Sequence, residues 1–195
     1  MDTAIFKPAD WFAPVRWPDV FNTAGPVEID VGCGKGGFLL WAAQARPQSN
    51  FLGIERQLVR LRKVDGKIRR LGLANAKLVR IEAGYFISKV VPDGSVAAYH
   101  VYFPDPWPKR RHQAHRLFQP EFVTALWRTL QPRGVVNVAT DDAAYDSDIR
   151  KVMGDQGRFG ETIPETLPEE ATTEFERVFR QAGQPIYRGR FVRRD

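Results

Sequence analysis

A chain of 195 residues with 43% apolar and 12% aromatic content is long enough for one domain with a sizeable core, which argues against a disordered chain. Its one cysteine, Cys33, excludes an internal disulfide, and no apolar run approaches the roughly 18 residues of a membrane span. A formal net charge of +6 points to a polyanionic partner, nucleic acid first.

The N-terminus lacks a charged start followed by an apolar stretch, so the reading is of a cytoplasmic protein without a secretory signal. Residues 1 to about 25 hold Pro8, Pro14, Pro18 and Gly25 among Trp11, Phe12, Trp17 and Phe21. That composition predicts an arm packed by aromatics onto a single domain spanning 26–195, with little regular structure of its own. Val27 to Val31 reads as a short buried strand, followed by a glycine turn into the helix FLLWAAQA, which ends before Pro47. Phe51 to Glu55 is a second strand, and a basic amphipathic helix runs to about Leu71. AKLVRI and VAAYHVYF are the third and fourth strands; PEFVTALWRTL is a helix; Pro132-Arg133-Gly134 turns into the fifth strand, VVNVAT. From about Arg158 the pattern predicts an antiparallel finish, with strands near RFGETI and PIYRGRFV and a helix between them. Strands alternating with helices predict an α/β fold: a mostly parallel twisted sheet, Rossmann-like, with helices on both faces.

The turn DVGCGKGG ends one strand and opens one helix. Its glycines permit a sharp turn and close approach of a ligand. Glu55 closes the next strand, where a carboxylate can accept both hydroxyl protons of an adenosine ribose. The pair fits a dinucleotide or S-adenosylmethionine; the latter expects an acid near the end of the first strand, and Asp30 is one. Glu82 and Asp105 lie at or near the ends of the third and fourth strands, so four strands deliver acids to one rim, where ligands of doubly wound sheets bind. Thr140-Asp141-Asp142 ends the fifth strand and faces the same rim. In FPDPWPKRRHQAHR, prolines on both sides stiffen the backbone around Asp105, and cations follow. His112 and His115 come without metal-ligand spacing, so no metal is expected. Cys33 inside the turn reads as a small filler.

The stretches EIDVGCGKGGFL, FLGIE, FPDPWPKRRH, ATD and TTEFE, in this order and spacing from Val27 to the C-terminus, resemble the motifs of the bacterial tRNA (guanine-N7-)-methyltransferases. The resemblance implies the fold of the class I S-adenosylmethionine-dependent methyltransferases. It implies a cofactor site of Asp30, Gly32, Gly34, Glu55, Glu82 and Asp105, with Asp105 also catalytic. It implies guanosine binding by Lys109, Asp141 and the Thr173-to-Glu176 stretch (Thr173 and Glu176 foremost), RNA contacts by Arg110, Arg111, His112, His115 and Arg116, and a tRNA variable-loop guanosine as substrate. No obligate protein partner is implied, and the chain is expected to be a monomer or homodimer. The family commonly has glutamate at the place of Asp30, and a denser basic run where Gln113, Ala114 and His115 stand. The sparser run predicts RNA contact that is weaker or redistributed toward Arg188, Arg190, Arg193 and Arg194.

Overall fold

A computed structural model describes residues 2–195, with the side chains of Arg110 and Gln156 outside the described set. In chain order the elements are β1 (Ile5–Phe6), α1 (Trp17–Val20), β2 (Val27–Val31), α2 (Gly37–Ala45), β3 (Asn50–Ile54), α3 (Leu58–Leu71), β4 (Ala76–Val79), α4 (Ala83–Tyr85, continued by a π-turn over Phe86–Val90) and β5 (Val96–Tyr102). A 3-10 turn over Arg110–His115 precedes α5 (Pro120–Thr129), β6 (Leu130–Thr140), α6 (Ala143–Gly154), β7 (Phe159–Thr162), α7 (Glu174–Gln181) and β8 (Tyr187–Arg193). One eight-stranded sheet has the order β1-β4-β3-β2-β5-β6-β8-β7. Its first six members run parallel; β8 is antiparallel to β6 and to β7. The chain therefore has the Rossmann-like fold its pattern predicts, including the antiparallel finish.

Every residue of β2 and β3 is buried, as expected for central parallel strands covered on both faces. On one face, Phe38 and Leu39 of α2 and Leu61, Val64 and Ile68 of α3 pack on Phe51 and Leu78. On the other, Ile29, Val31, Tyr99 and Val101 meet Phe86, Ile87, Leu126 and Tyr145.

The N-terminal segment departs from the expected irregular arm. Ile5–Phe6 adds an edge strand parallel to β4, with the Leu78 amide donating to the Ala4 carbonyl at 2.9 Å. Asp65 of α3 fixes the entry by accepting from the Ala4 amide at 2.6 Å. Two residues carry no readable alternation; the free edge of β4 creates this strand.

Candidate active site

The strand order places the ends of β2, β3, β4, β5 and β6 along one rim. Asp30 lies in the last turn of pleat in β2, opposite Gly53 of β3. Its side chain is buried and makes no hydrogen bond among the described residues. Burial, and then the neighbouring Glu55 carboxylate, push its pKa up to about 7. Glu55 follows β3 directly; one of its oxygens accepts from the Gln57 amide at 2.7 Å, which leaves the other available. The turn between them holds Gly32 at φ 74° and Gly34 at φ 55°, left-handed angles that favour glycine. Beyond its two chain neighbours, no atom of the described residues lies within 4 Å of where a Gly32 side chain would begin, so space inside the fold does not impose glycine there; the backbone angle does, and a ligand gains close approach. A cationic amino acid moiety suits unpaired Asp30, and ribose hydroxyls suit the free Glu55 oxygen. These residues fit S-adenosylmethionine. The Cys33 thiol is buried and its pKa is raised by burial and by Asp30, the state of a filler and not of a nucleophile.

Glu82 stands three residues beyond β4 and caps α4. Its two oxygens accept from the Gly84 amide at 2.8 Å and the Tyr85 amide at 2.7 Å. A carboxylate has further lone pairs, so this cap still presents acceptors at the rim. Asp142 is likewise a cap, accepting from the Tyr145 amide at 2.8 Å, whereas neighbouring Asp141 makes no hydrogen bond among the described residues.

Asp105 sits in a loop held at both ends. Phe103 and Trp107, on either side of it, adopt φ of 54° and 41°, a region that costs non-glycine residues of order 1 kcal/mol or more each. Such angles persist only where the surroundings enforce them. The Phe103 amide donates to the Ala139 carbonyl of β6 at 2.7 Å, and the Phe103 ring packs on Phe179 of α7. On the far side, the Arg116 Nε donates to the Pro106 carbonyl at 2.7 Å. Arg116 is itself buried, paired with Asp148 of α6 and stacked 4.8 Å over the Tyr145 ring. Between these two anchors Asp105 is exposed and makes no hydrogen bond among the described residues.

The C-terminal segment closes the other side. A side chain at Gly37, the first residue of α2, would meet the Thr172 carbonyl at 3.1 Å, so the segment lies directly against the glycine turn. Lys35 of the turn pairs with Glu174 of α7. Thr173 caps α7, accepting from the Glu176 amide at 3.1 Å.

A family model described as a putative methyltransferase matches residues 24–189. A protein of Chlamydia caviae named tRNA (guanine-N(7)-)-methyltransferase is 32% identical over 190 residues, which cover 95% of this chain and 84% of the relative. The chain belongs to the tRNA (guanine-N7-)-methyltransferase family. A relative of the same name from Thermotoga maritima is 28% identical over 175 residues; they cover 89% of this chain, which spans 56% of that relative's length. The crystal structure of the 16S rRNA methyltransferase KamB superposes with a TM-score of 0.68 at 16% identity, covering 99% of this chain and 98% of that one, and so shows the same fold.

Within this family framework the expected RNA contacts divide. Lys109 and Arg111 are exposed. His112 and His115 pack their rings on Trp107, at 5.8 and 5.2 Å between centroids, and make an aromatic cluster starting two residues beyond Asp105 in the chain. The Arg110 side chain lies outside the described residues. Arg116 departs from the expected RNA contact: it is turned inward, and its burial and its bonds to Pro106 and Asp148 make it the loop anchor. Glu176, expected at the guanosine, is 2% exposed and held by Arg180 and Arg188. Of the four cations expected to take over RNA contact, Arg188, Arg190 and Arg193 have partners within the protein: Arg188 pairs with the buried Glu176. Arg190 faces Glu165 at 3.7 Å, and Arg193 donates to the Leu130 carbonyl and stacks on Trp127.

The sequence reading missed a buried polar network behind the rim. Glu28 of β2 accepts two hydrogen bonds from Arg46 at 2.9 Å, and His100 Nε2 donates to it at 2.8 Å. His100 Nδ1 accepts from Tyr102 at 3.2 Å and from Asn137 at 3.4 Å, one tautomer serving all partners. Burial keeps His100 neutral, and burial of Glu28 is outweighed by His100 and Arg46, which hold its carboxyl below the usual range. The signal was the alternation of Glu28 and Asp30 in an otherwise apolar strand: both point to the face covered by α2.

Proposed function

We propose that this chain transfers a methyl group from S-adenosylmethionine to N7 of a guanosine in the tRNA variable loop. The observation that carries the reading is Asp105, held unpaired at the rim by a backbone clamped at Phe103 and Pro106. The proposal treats residues 26–195 as the methyltransferase domain with 1–25 as its arm, in a cytoplasmic monomer or homodimer.

Asp30, Gly32, Gly34, Glu55, Glu82 and Asp105 hold the cofactor. Bound there, it supplies an electrophilic methyl group on a sulfonium, a leaving group that needs no activation. Guanine N7 already carries a free lone pair, so no protein base removes a proton before attack. The protein's task is alignment, which supplies up to several kcal/mol. The purine gains positive charge as the new bond forms. Asp105 or Asp141 accepts the guanine N1 and amino hydrogens and stabilises that charge; a fixed carboxylate acts with little reorganisation. Thr173 and the α7 start position the base from the other side, Lys109 contacts it from the loop, and Arg111 neutralises phosphate.

Incubating the protein with S-adenosylmethionine and unmodified tRNA, then digesting to nucleosides, tests the reading. The expected product is 7-methylguanosine from the variable loop; an exocyclic methylamine, or no methylated nucleoside, overturns it. Asp105→Asn should lower kcat by about 100-fold or more, in the range seen when one preorganised transition-state partner is lost.

A further inference from the structure

Three cation-rich stretches stand out in the sequence, and two of them are accounted for: the loop after Asp105, and β8. The third is α3, where Arg60, Arg62, Lys63, Lys67, Arg69 and Arg70 fall within fourteen residues, with Arg56 just before. At 100° per residue the buried side is Leu61, Val64, Asp65 and Ile68, and the cations occupy most of the remaining arc, which they share with the exposed Val59 and Leu71. Asp65 is the helix's only acid. It is buried, accepting from the Ala4 amide and pairing with Arg69 at 3.2 Å. No acidic side chain of α3 therefore faces solvent. Arg56, Arg60, Arg62, Lys63 and Arg70 make no ion pair among the described residues. Like charges recur at three- and four-residue spacing: Arg56/Arg60, Arg60/Lys63, Lys63/Lys67 and Lys67/Arg70. Each such pair within the helix opposes its formation. Arg60 also stands in the first turn, where the helix dipole disfavours a cation.

This face is continuous with the rim. Arg56 follows Glu55, and Arg80 at the end of β4 donates to the Arg56 carbonyl at 3.3 Å. Lys67 donates to the carbonyl of Lys35 in the glycine turn at 2.9 Å. Only β2 separates the end of β3, where α3 starts, from the end of β5, where the Asp105 loop starts; that places the two about 10 Å apart. From there α3 runs about 21 Å away from the loop.

We propose that the solvent face of α3 is a second phosphate-binding surface for the RNA substrate, gripping backbone remote from the methylated base. The proposal rests on tRNA being the substrate. It explains how a loop with few free cations is supplemented: the face adds sequence-independent contacts that hold the substrate across the rim while the loop positions the base.

The test is the double variant Lys63→Gln/Arg70→Gln against a control of equal charge change, Lys89→Gln/Arg133→Gln, both assayed for 7-methylguanosine in tRNA. With the α3 variant, KM for tRNA should rise about 5-fold or more while kcat at saturating tRNA holds. The slope of log(kcat/KM) against log salt should become shallower by about 1.5, near the value for two lost phosphate contacts. KM for S-adenosylmethionine should not move. The control should match the wild type in all three. A KM and salt slope for the α3 variant equal to the control's overturn the proposal, as does a loss confined to kcat. Failure of the underlying reading is separate, because the wild-type protein would then form no 7-methylguanosine.

Discussion

α3 and β8 are both rich in arginine, and their charges have opposite fates. On β8, Arg188, Arg190 and Arg193 meet Glu176, Glu165, a backbone carbonyl and a tryptophan ring. On α3, six cations in or beside the helix make no ion pair among the described residues, because the one acid of the helix is turned into the core and pairs with Arg69 alone. A strand buried against a covering segment brings partners to its side chains, whereas the outer face of a helix has none unless its own sequence supplies them. Net charge thus overstates what a ligand encounters, and the availability of each cation is set by topology. The same division recurs within the Asp105 loop, between Arg116 and Arg111. It recurs among acids on β2, where Glu28 is paired and Asp30 is not.

The sharpest challenge is in the loop. Arg116→Ala should lower kcat by about 100-fold, the cost of a misplacement of roughly 1 Å at the reacting groups, with a much smaller change in KM for tRNA. Arg116→Lys should restore little, since a point charge cannot bridge Pro106, Asp148 and Tyr145 together. A change in KM alone would return Arg116 to the RNA surface and break the comparison.

Next in size is Arg188→Met. It leaves Glu176, almost fully buried, with Arg180 as its sole ion-pair partner, and should lower stability by about 2–3 kcal/mol, somewhat less than when a buried charge loses its only partner. For a chain of this length that is a fall in Tm of roughly 5–10 °C, readable by calorimetry. The α3 double variant should melt within about 1 °C of wild type.

The acids give a pH signature. Asp30 titrates near 7 in the free protein against 3.8 in its ordinary state, so its stabilising contribution is complete below about 3.8 and is lost as pH rises through 7. A cationic ligand prefers the ionised form. The Kd for S-adenosylmethionine should therefore fall by up to about tenfold per unit as pH rises toward 7 and level off above it. Asp30→Asn should weaken binding and flatten this dependence between pH 5.5 and 8 in titration calorimetry. Glu28, already ionised across this range, should contribute no slope. Smallest of all, Arg111→Ala should raise KM for tRNA by a few-fold and make its salt slope shallower by about 0.7–0.9, with kcat unchanged.

Much of this architecture was legible because it is carried by local pattern: short buried runs, a glycine turn, proline brackets, and acids at the ends of strands. Asp30, Glu55, Asp105 and Asp141 could be placed on one rim from chain order alone. What escaped depends on contacts between distant residues. Ile5–Phe6 becomes a strand only because β4 has an open edge. Arg116 and Glu176 carry the residue types of surface contacts, and only Asp148, Tyr145, Arg180 and Arg188, all remote from an isolated motif or a helical turn away, reveal that they face inward. Glu82 sits in sequence as a strand end, but the turn that follows makes it a helix cap.

The seam between Gly37 and Thr172 has a consequence for how the molecule can be divided. All the acids assigned to the cofactor occur before residue 106, which suggests a minimal half that ends early. Yet the Thr172 carbonyl lies against the first residue of α2, and Glu174 holds Lys35 in the turn. Excising the last quarter of the chain would strip the outer wall from the glycine turn and bare the flank of β6 that β8 covers. The proposed methyl-donor pocket would then be a joint product of both ends of the polypeptide, and neither end would inherit it alone.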